Sequence, residues 1–158
     1  MILQILKETM AACLGSAAFA VLFEISRVHW LPCSLIGAGG WFVYAMLSYN
    51  AICGKTISIL CAALFITLIS RAAAIRMKVP AIILLTAGLF PLVPGAGIFW
   101  TAYYAVLGNQ AAAVSNGFTA LKTAGAIALG ICLMYQIPNS IIIKISRIKW
   151  LEKKQKNA

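Results

Sequence analysis

Between Val79 and Leu121 the chain carries no charged residue, and in the middle of that run stands Pro91-Leu92-Val93-Pro94-Gly95-Ala96-Gly97. Proline removes a backbone donor and clashes with the preceding helical turn. Glycine accepts backbone angles that other residues avoid. An unpaired backbone group in hydrocarbon costs several kcal/mol, so a helix break at that depth must be buried in protein or line a watery cavity. Transporters place substrate sites at such breaks.

The surrounding composition makes this a membrane chain. Of 158 residues, 63% are hydrophobic and 10% charged, against about 25% charged in a soluble domain. Five apolar segments are long enough to cross a bilayer, over 9–25, 32–49, 57–75, 79–107 and 117–137. The expected fold is an all-α integral membrane protein of about five transmembrane helices, the fourth interrupted at the Pro/Gly break. Residues 1–143 form one transmembrane domain and 144–158 a basic tail. Ala18-Phe19-Ala20 resembles a signal-peptidase site, but Lys7 and Glu8 interrupt the apolar stretch before it, which favours an uncleaved first span.

The net charge of +10 comes from basic residues at segment ends. Placing the tail in the cytoplasm gathers Arg27, Arg71, Arg76, Lys78, Lys144, Arg147, Lys149, Lys153, Lys154 and Lys156 on that side. Lys7 and Lys55 fall outside. This is the positive-inside bias, with the N-terminus out and the C-terminus cytoplasmic in the plasma membrane. A four-span alternative separates the basic 71–78 loop from the tail and ranks second. The charge pattern suits a lipid bilayer rather than nucleic acid. Trp30 and Trp150 fit a headgroup belt, whereas Trp41 and Trp100 are packing residues or cavity walls. With one histidine, no aspartate and no CxxC among Cys13, Cys33, Cys53, Cys61 and Cys132, no metal site or cofactor is expected. No paired carboxylates or HExxH motif suggest an enzyme.

After the break, Gly97, Thr101, Tyr104 and Gly108 share one helical face. The half-helix start would present free N–H groups around Gly95 to Ile98, which attract carboxylates. The same face could instead serve close helix packing. Lys122 is the charge well inside an apolar run, so it either neutralises a substrate carboxylate or snorkels to the outer headgroups. Asn116 adds polar capacity beside it. In the first span, Ala12, Ser16, Ala20 and Glu24 recur at four-residue steps. Glu24 either pairs with Arg27 or carries protons at the cytoplasmic mouth. Gly37, Gly40, Tyr44 and Ser48 in the second span read as a packing face.

Lys78-Val79-Pro80, Gly88 and Pro91-Leu92-Val93-Pro94-Gly95-Ala96-Gly97, with Asn116 after a polar turn and Ile137-Pro138 at the exit, resemble the threonine/serine exporter (ThrE) family. The closer likeness is to the small membrane subunit of the split form, which matches the C-terminal half of the fused exporters. The resemblance implies a proton-driven secondary exporter of small carboxylate solutes, L-threonine and L-serine foremost, working with a larger ThrE-like membrane subunit. The candidate substrate contacts remain those of the break, its helical face and the polar residues beyond it, Pro91, Pro94, Gly95, Gly97, Thr101, Tyr104, Asn116 and Lys122. For proton coupling the chain offers only Glu8 and Glu24 near its ends, with Glu24 the candidate and most coupling residues expected in the partner. Export of a dicarboxylate such as succinate, or a non-transporting assembly role, are the alternatives.

Overall fold

The computed structural model describes residues 2–50, 54–138 and 141–142. The basic tail, Trp150 and Cys53 lie outside them. Six α-helices follow in order: α1 (Ile2–Leu22), α2 (Trp30–Tyr49), α3 (Lys55–Met77), α4 (Ala81–Leu89), α5 (Gly95–Val106) and α6 (Gln110–Tyr135), with 3-10 turns at Arg27–His29 and Phe90–Leu92. Four of these helices are long and apolar enough to span a membrane. The pair α4–α5 is long and apolar enough only when taken together and is bent by 53° at the break, the mark of a broken span or a re-entrant loop. The protein is an all-helical membrane protein, with helices that are apolar all round because their solvent is lipid.

Helix directions decide what the bent pair does. Near its C-terminal end, Arg71 of α3 donates to the carbonyl oxygens of Met134 and Ile137, at the C-terminal end of α6. About one turn earlier in α6, Gly130 meets Ala63 and the backbone of Leu60 and Leu64, two turns earlier in α3. The contacts advance together, so α3 and α6 run parallel. A chain that leaves α3 at one end and starts α6 at the other must cross once between them. The pair α4–α5 therefore spans as one broken helix rather than dipping in and returning. This is the five-crossing arrangement expected from the sequence.

α2 and α3 form the centre, with α1 on α2, α4 on both, α6 on α3, and α5 on α6. The core gathers Ala20, Cys33, Ile36, Ile59, Ala62, Ile66, Leu84, Leu85, Ala87 and Ile127. Small residues set its tightest point. A Cβ added at Gly37 would lie 1.9 Å from Ser16 Oγ and 3.2 Å from the Gly88 carbonyl, so α1 meets α2 there through a small side chain and α4 meets it through backbone. The expected face of Gly37 and Gly40 is thus a packing face, since Gly40 likewise gives way to Ile66.

Three expected boundaries move. α1 begins at Ile2, so Lys7 and Glu8 lie within the helix and not before it. Arg71 falls inside α3 and is only 6% exposed. It serves the last-turn carbonyls of α6, a C-terminal capping task that basic side chains perform. The turn after α5 spans only residues 107–109, because Asn109 caps α6 by accepting the Ala112 N–H at 3.1 Å. A polar Gly-Asn-Gln signal that reads as a loop is a helix start.

α1 also stops at Leu22 in place of running on to Glu24. Glu24 takes the left-handed conformation, φ 54°, while Ile25 N–H reaches Ala20 O and Glu24 N–H reaches Val21 O. This is the paired hydrogen-bond pattern of a Schellman stop. The helical spacing that would pair Glu24 with Arg27 is lost, and Arg27 lies over the Trp30 ring at 5.8 Å. Lys78 ends α3 the same way at φ 55°, with Pro80 just beyond.

Candidate functional site

The break is built by its prolines. The 3-10 turn Phe90–Leu92 ends α4 with Pro91 at its start. Pro94 forces the preceding Val93 into an extended conformation, φ −61° and ψ 131°. Pro94 itself, at φ −76° and ψ 50°, centres a three-residue turn closed by Gly95 N–H on Val93 O at 2.8 Å. Helix α5 then restarts. Among the described residues the one glycine at positive φ is Gly108, so Gly95 and Gly97 are not needed for unusual backbone angles.

Their role is space. A side chain at Gly95 would meet nothing within 4 Å, whereas one at Gly97 would lie 3.1 Å from Ala120 Cβ. Gly95 therefore opens onto free space while Gly97 lets α5 approach α6. Pro94 offers no side-chain cap to α5. Gly95 N–H is taken by Val93 O and Ile98 N–H by Pro94 O. The N–H groups of Ala96 and Gly97 are then the donors that a helix start leaves over. Two free donors and the positive end of a helix, beside an open position, form an anion-attracting corner.

The other expected site residues divide. Thr101 follows Gly97 onto α6: its hydroxyl donates to Gly97 O at 2.7 Å, and its methyl would sit 3.2 Å from a Cβ at Gly117. Tyr104 is half-buried and stacks on Trp100 at 5.9 Å between ring centres. Asn116 lies in the second turn of α6 and donates to Ala112 O. Pro91 is separate from these, in a groove between α1 and α2. Lys122 stands on the exposed face of α6, its ammonium 4.4 Å over the Phe118 ring. It lies twelve residues past Gln110, about 18 Å along the helix at 1.5 Å per residue. That is deeper than a segment starting at 117 suggested. Glu24 is exposed at the end of α1.

Two groups lie outside the expected site. One is buried Arg71, which lines a cavity of about 580 Å³ with Lys78, Tyr135 and Pro138 at the C-terminal ends of α3 and α6. Its guanidinium also lies 5.1 Å from the Tyr135 ring. The other is Glu8, which lines a groove of about 270 Å³ with Trp41, Phe19, Phe90 and Pro91. A charged residue inside an apolar helix was the available signal in each case, but both were assigned to segment ends.

Neither a curated protein nor a solved structure matches the chain. A family model does, with the description threonine/serine exporter, ThrE, over residues 8–137, which takes in α1 from Glu8 onward and all of α2 to α6, on both sides of the break. With its apolar helices and interrupted fourth span, the chain belongs to the threonine/serine exporter (ThrE) family, whose members are membrane transporters.

Proposed function

We propose that this chain is one subunit of a proton-driven secondary exporter of small carboxylate solutes, with L-threonine and L-serine the first candidates, in the plasma membrane. The observation that carries the reading is the restart of α5: uncapped N–H groups at Ala96 and Gly97, with open space before Gly95, within a bent span. A carboxylate brought there meets donors already oriented, so its binding needs no reorganisation of the backbone. The positive-inside bias supports a cytoplasmic C-terminus.

A larger ThrE-like partner belongs to this proposal. Lys122 supports it, because a lysine midway along a span and facing outward is costly in lipid and is relieved by a neighbouring chain. Helix α5 supports it too, having α6 as its main neighbour here. Glu24 is the proposed proton-coupling group of this chain, at the mouth of α1, with further coupling groups in the partner.

The test is efflux of threonine, serine and succinate from cells expressing the chain with its genomic neighbour. Loss of the pH-gradient-dependent efflux in Gly95→Leu, with normal membrane levels, is expected. Full efflux by that variant would remove the site, and no excess efflux of any of the three would remove the exporter reading. Succinate efflux alone would reassign the cargo.

A further inference from the structure

We propose that the groove between α1, α2 and the break is a binding site for a primary ammonium group, with Glu8 as its counter-charge. Glu8 sits within α1 and is one of three acidic residues in the chain. Its carboxylate accepts from Tyr49 Oη at 2.6 Å, from Gln4 Nε2 at 3.2 Å and from Trp41 Nε1 at 3.3 Å. All three donors are neutral. They fix the carboxylate in one orientation but bring no positive charge, and a carboxylate in a spanning helix is costly until it gains a proton or a cation.

The walls suit a small cation. Phe19, Trp41 and Phe90 give aromatic surface, which attracts ammonium groups, tryptophan most strongly. Ala11, Ala12 and Gly15 form the floor, and a side chain added at Gly15 would meet nothing within 4 Å. The groove's volume of about 270 Å³ equals that of roughly nine liquid waters, enough for a small amino acid.

The position of the groove ties it to the break. Phe90 stacks on Phe19, and Pro91, the next residue, closes the groove. The groove that holds Glu8 is therefore walled at its other end by the segment that bends the fourth span. The donors at Ala96 and Gly97 follow a few residues later in the chain. As the cargo of an amino-acid exporter, the ligand would be held in this groove by its amine, through Glu8. That identity rests on the exporter proposal, whereas the ammonium chemistry does not.

The experiment measures binding by calorimetry to the full chain in phosphatidylcholine nanodiscs, using ethylammonium, L-threonine and 2,3-dihydroxybutyrate, in which a hydroxyl replaces the amine of threonine. Saturable ethylammonium binding is expected, with L-threonine bound about tenfold or more tighter than the hydroxy acid. Glu8→Gln should bring L-threonine down to the level of the hydroxy acid. Gly15→Leu should block the groove while leaving the fold in place, and serves as the second variant if Glu8→Gln does not accumulate. Adding phosphatidylethanolamine separates the two sources of an ammonium group: competition assigns the site to a lipid headgroup, and none assigns it to a soluble amine. No saturable ethylammonium binding, or an equal loss of both acids in Glu8→Gln, overturns the proposal. Because the readout is binding, it can fail while efflux succeeds, and succeed while efflux fails.

Discussion

The two halves of the broken span live in different surroundings. α4 buries Leu84, Leu85, Ala87 and Gly88 among α1, α2 and α3. α5 has no fully buried residue and leans on α6, with Phe99, Trp100 and Tyr103 turned outward. One half is wedged into the bundle and the other is held on a single side. A helix fixed by three neighbours has little freedom, whereas one resting on a single neighbour can be repositioned when a few contacts change. The break therefore separates an anchor from a movable arm, and the donors at Ala96 and Gly97 belong to the arm.

The largest test strikes the anchor. Gly37→Leu forces a side chain against Ser16 and the Gly88 carbonyl, where even a single Cβ has no room. The Gly88 backbone cannot yield as a flexible side chain would, and Ser16 is fully buried, so the cost should reach the upper end of the overpacking range, about 3 kcal/mol. Membrane accumulation and a monodisperse elution profile should both be lost. Normal levels of folded Gly37→Leu would show that the anchored half is looser than its contacts imply.

The next effect concerns what the arm rests on. Arg71 ties the end of α6 to α3 through the Met134 and Ile137 carbonyls. Arg71→Met leaves those carbonyls without a charged donor, a loss of about 3 kcal/mol for hydrogen bonds of this kind. Thermal unfolding should occur earlier and Arg71→Lys should recover part of the difference. Any residual efflux should keep its substrate order, since α6 would be loosened but the start of α5 unchanged. An altered order with unchanged stability would make Arg71 a substrate contact in place of a tether.

Within the arm, Gly95 and Gly97 should part company. Gly97→Leu presses on Ala120, pushes α5 from α6, and should cost about 1–3 kcal/mol of stability. Gly95→Leu enters open space, so stability should hold while efflux falls. Melting temperature and efflux measured on the same preparations distinguish them. Equal destabilisation by both would mean that Gly95 also packs, and the open corner would disappear.

These particulars show what the chain's letters could carry. Hydropathy reported five crossings because span length is set by bilayer thickness, and the Pro91–Pro94 pair reported the interruption because proline acts locally. Glu8 and Arg71 were harder to place. Their partners, Trp41 and Tyr49 in one case and Met134 and Ile137 in the other, are distant in sequence and meet only through helix packing. The face of Gly97 and Thr101 was visible as a face, but whether it met ligand or helix depended on where α6 lay. Asn109 was read as a loop residue because caps and loops use the same side chains.

The smallest effect tests the arm's outward side. Phe99 and Tyr103 stack on each other at 6.3 Å, beside Trp100, and all three are exposed. In lipid an exposed aromatic gains little over an exposed leucine, because both are surrounded by apolar matter. Phe99→Leu or Tyr103→Leu should therefore change the stability of the isolated chain by no more than about 0.5 kcal/mol. A partner docked on α5 changes that expectation, since an interface built on shape would lose its aromatic anchors. Recovery of the proposed larger subunit with the double variant should then drop several-fold while the chain alone melts as before. An unchanged recovery would leave α5 facing lipid, and the freedom of the arm would then belong to this chain alone.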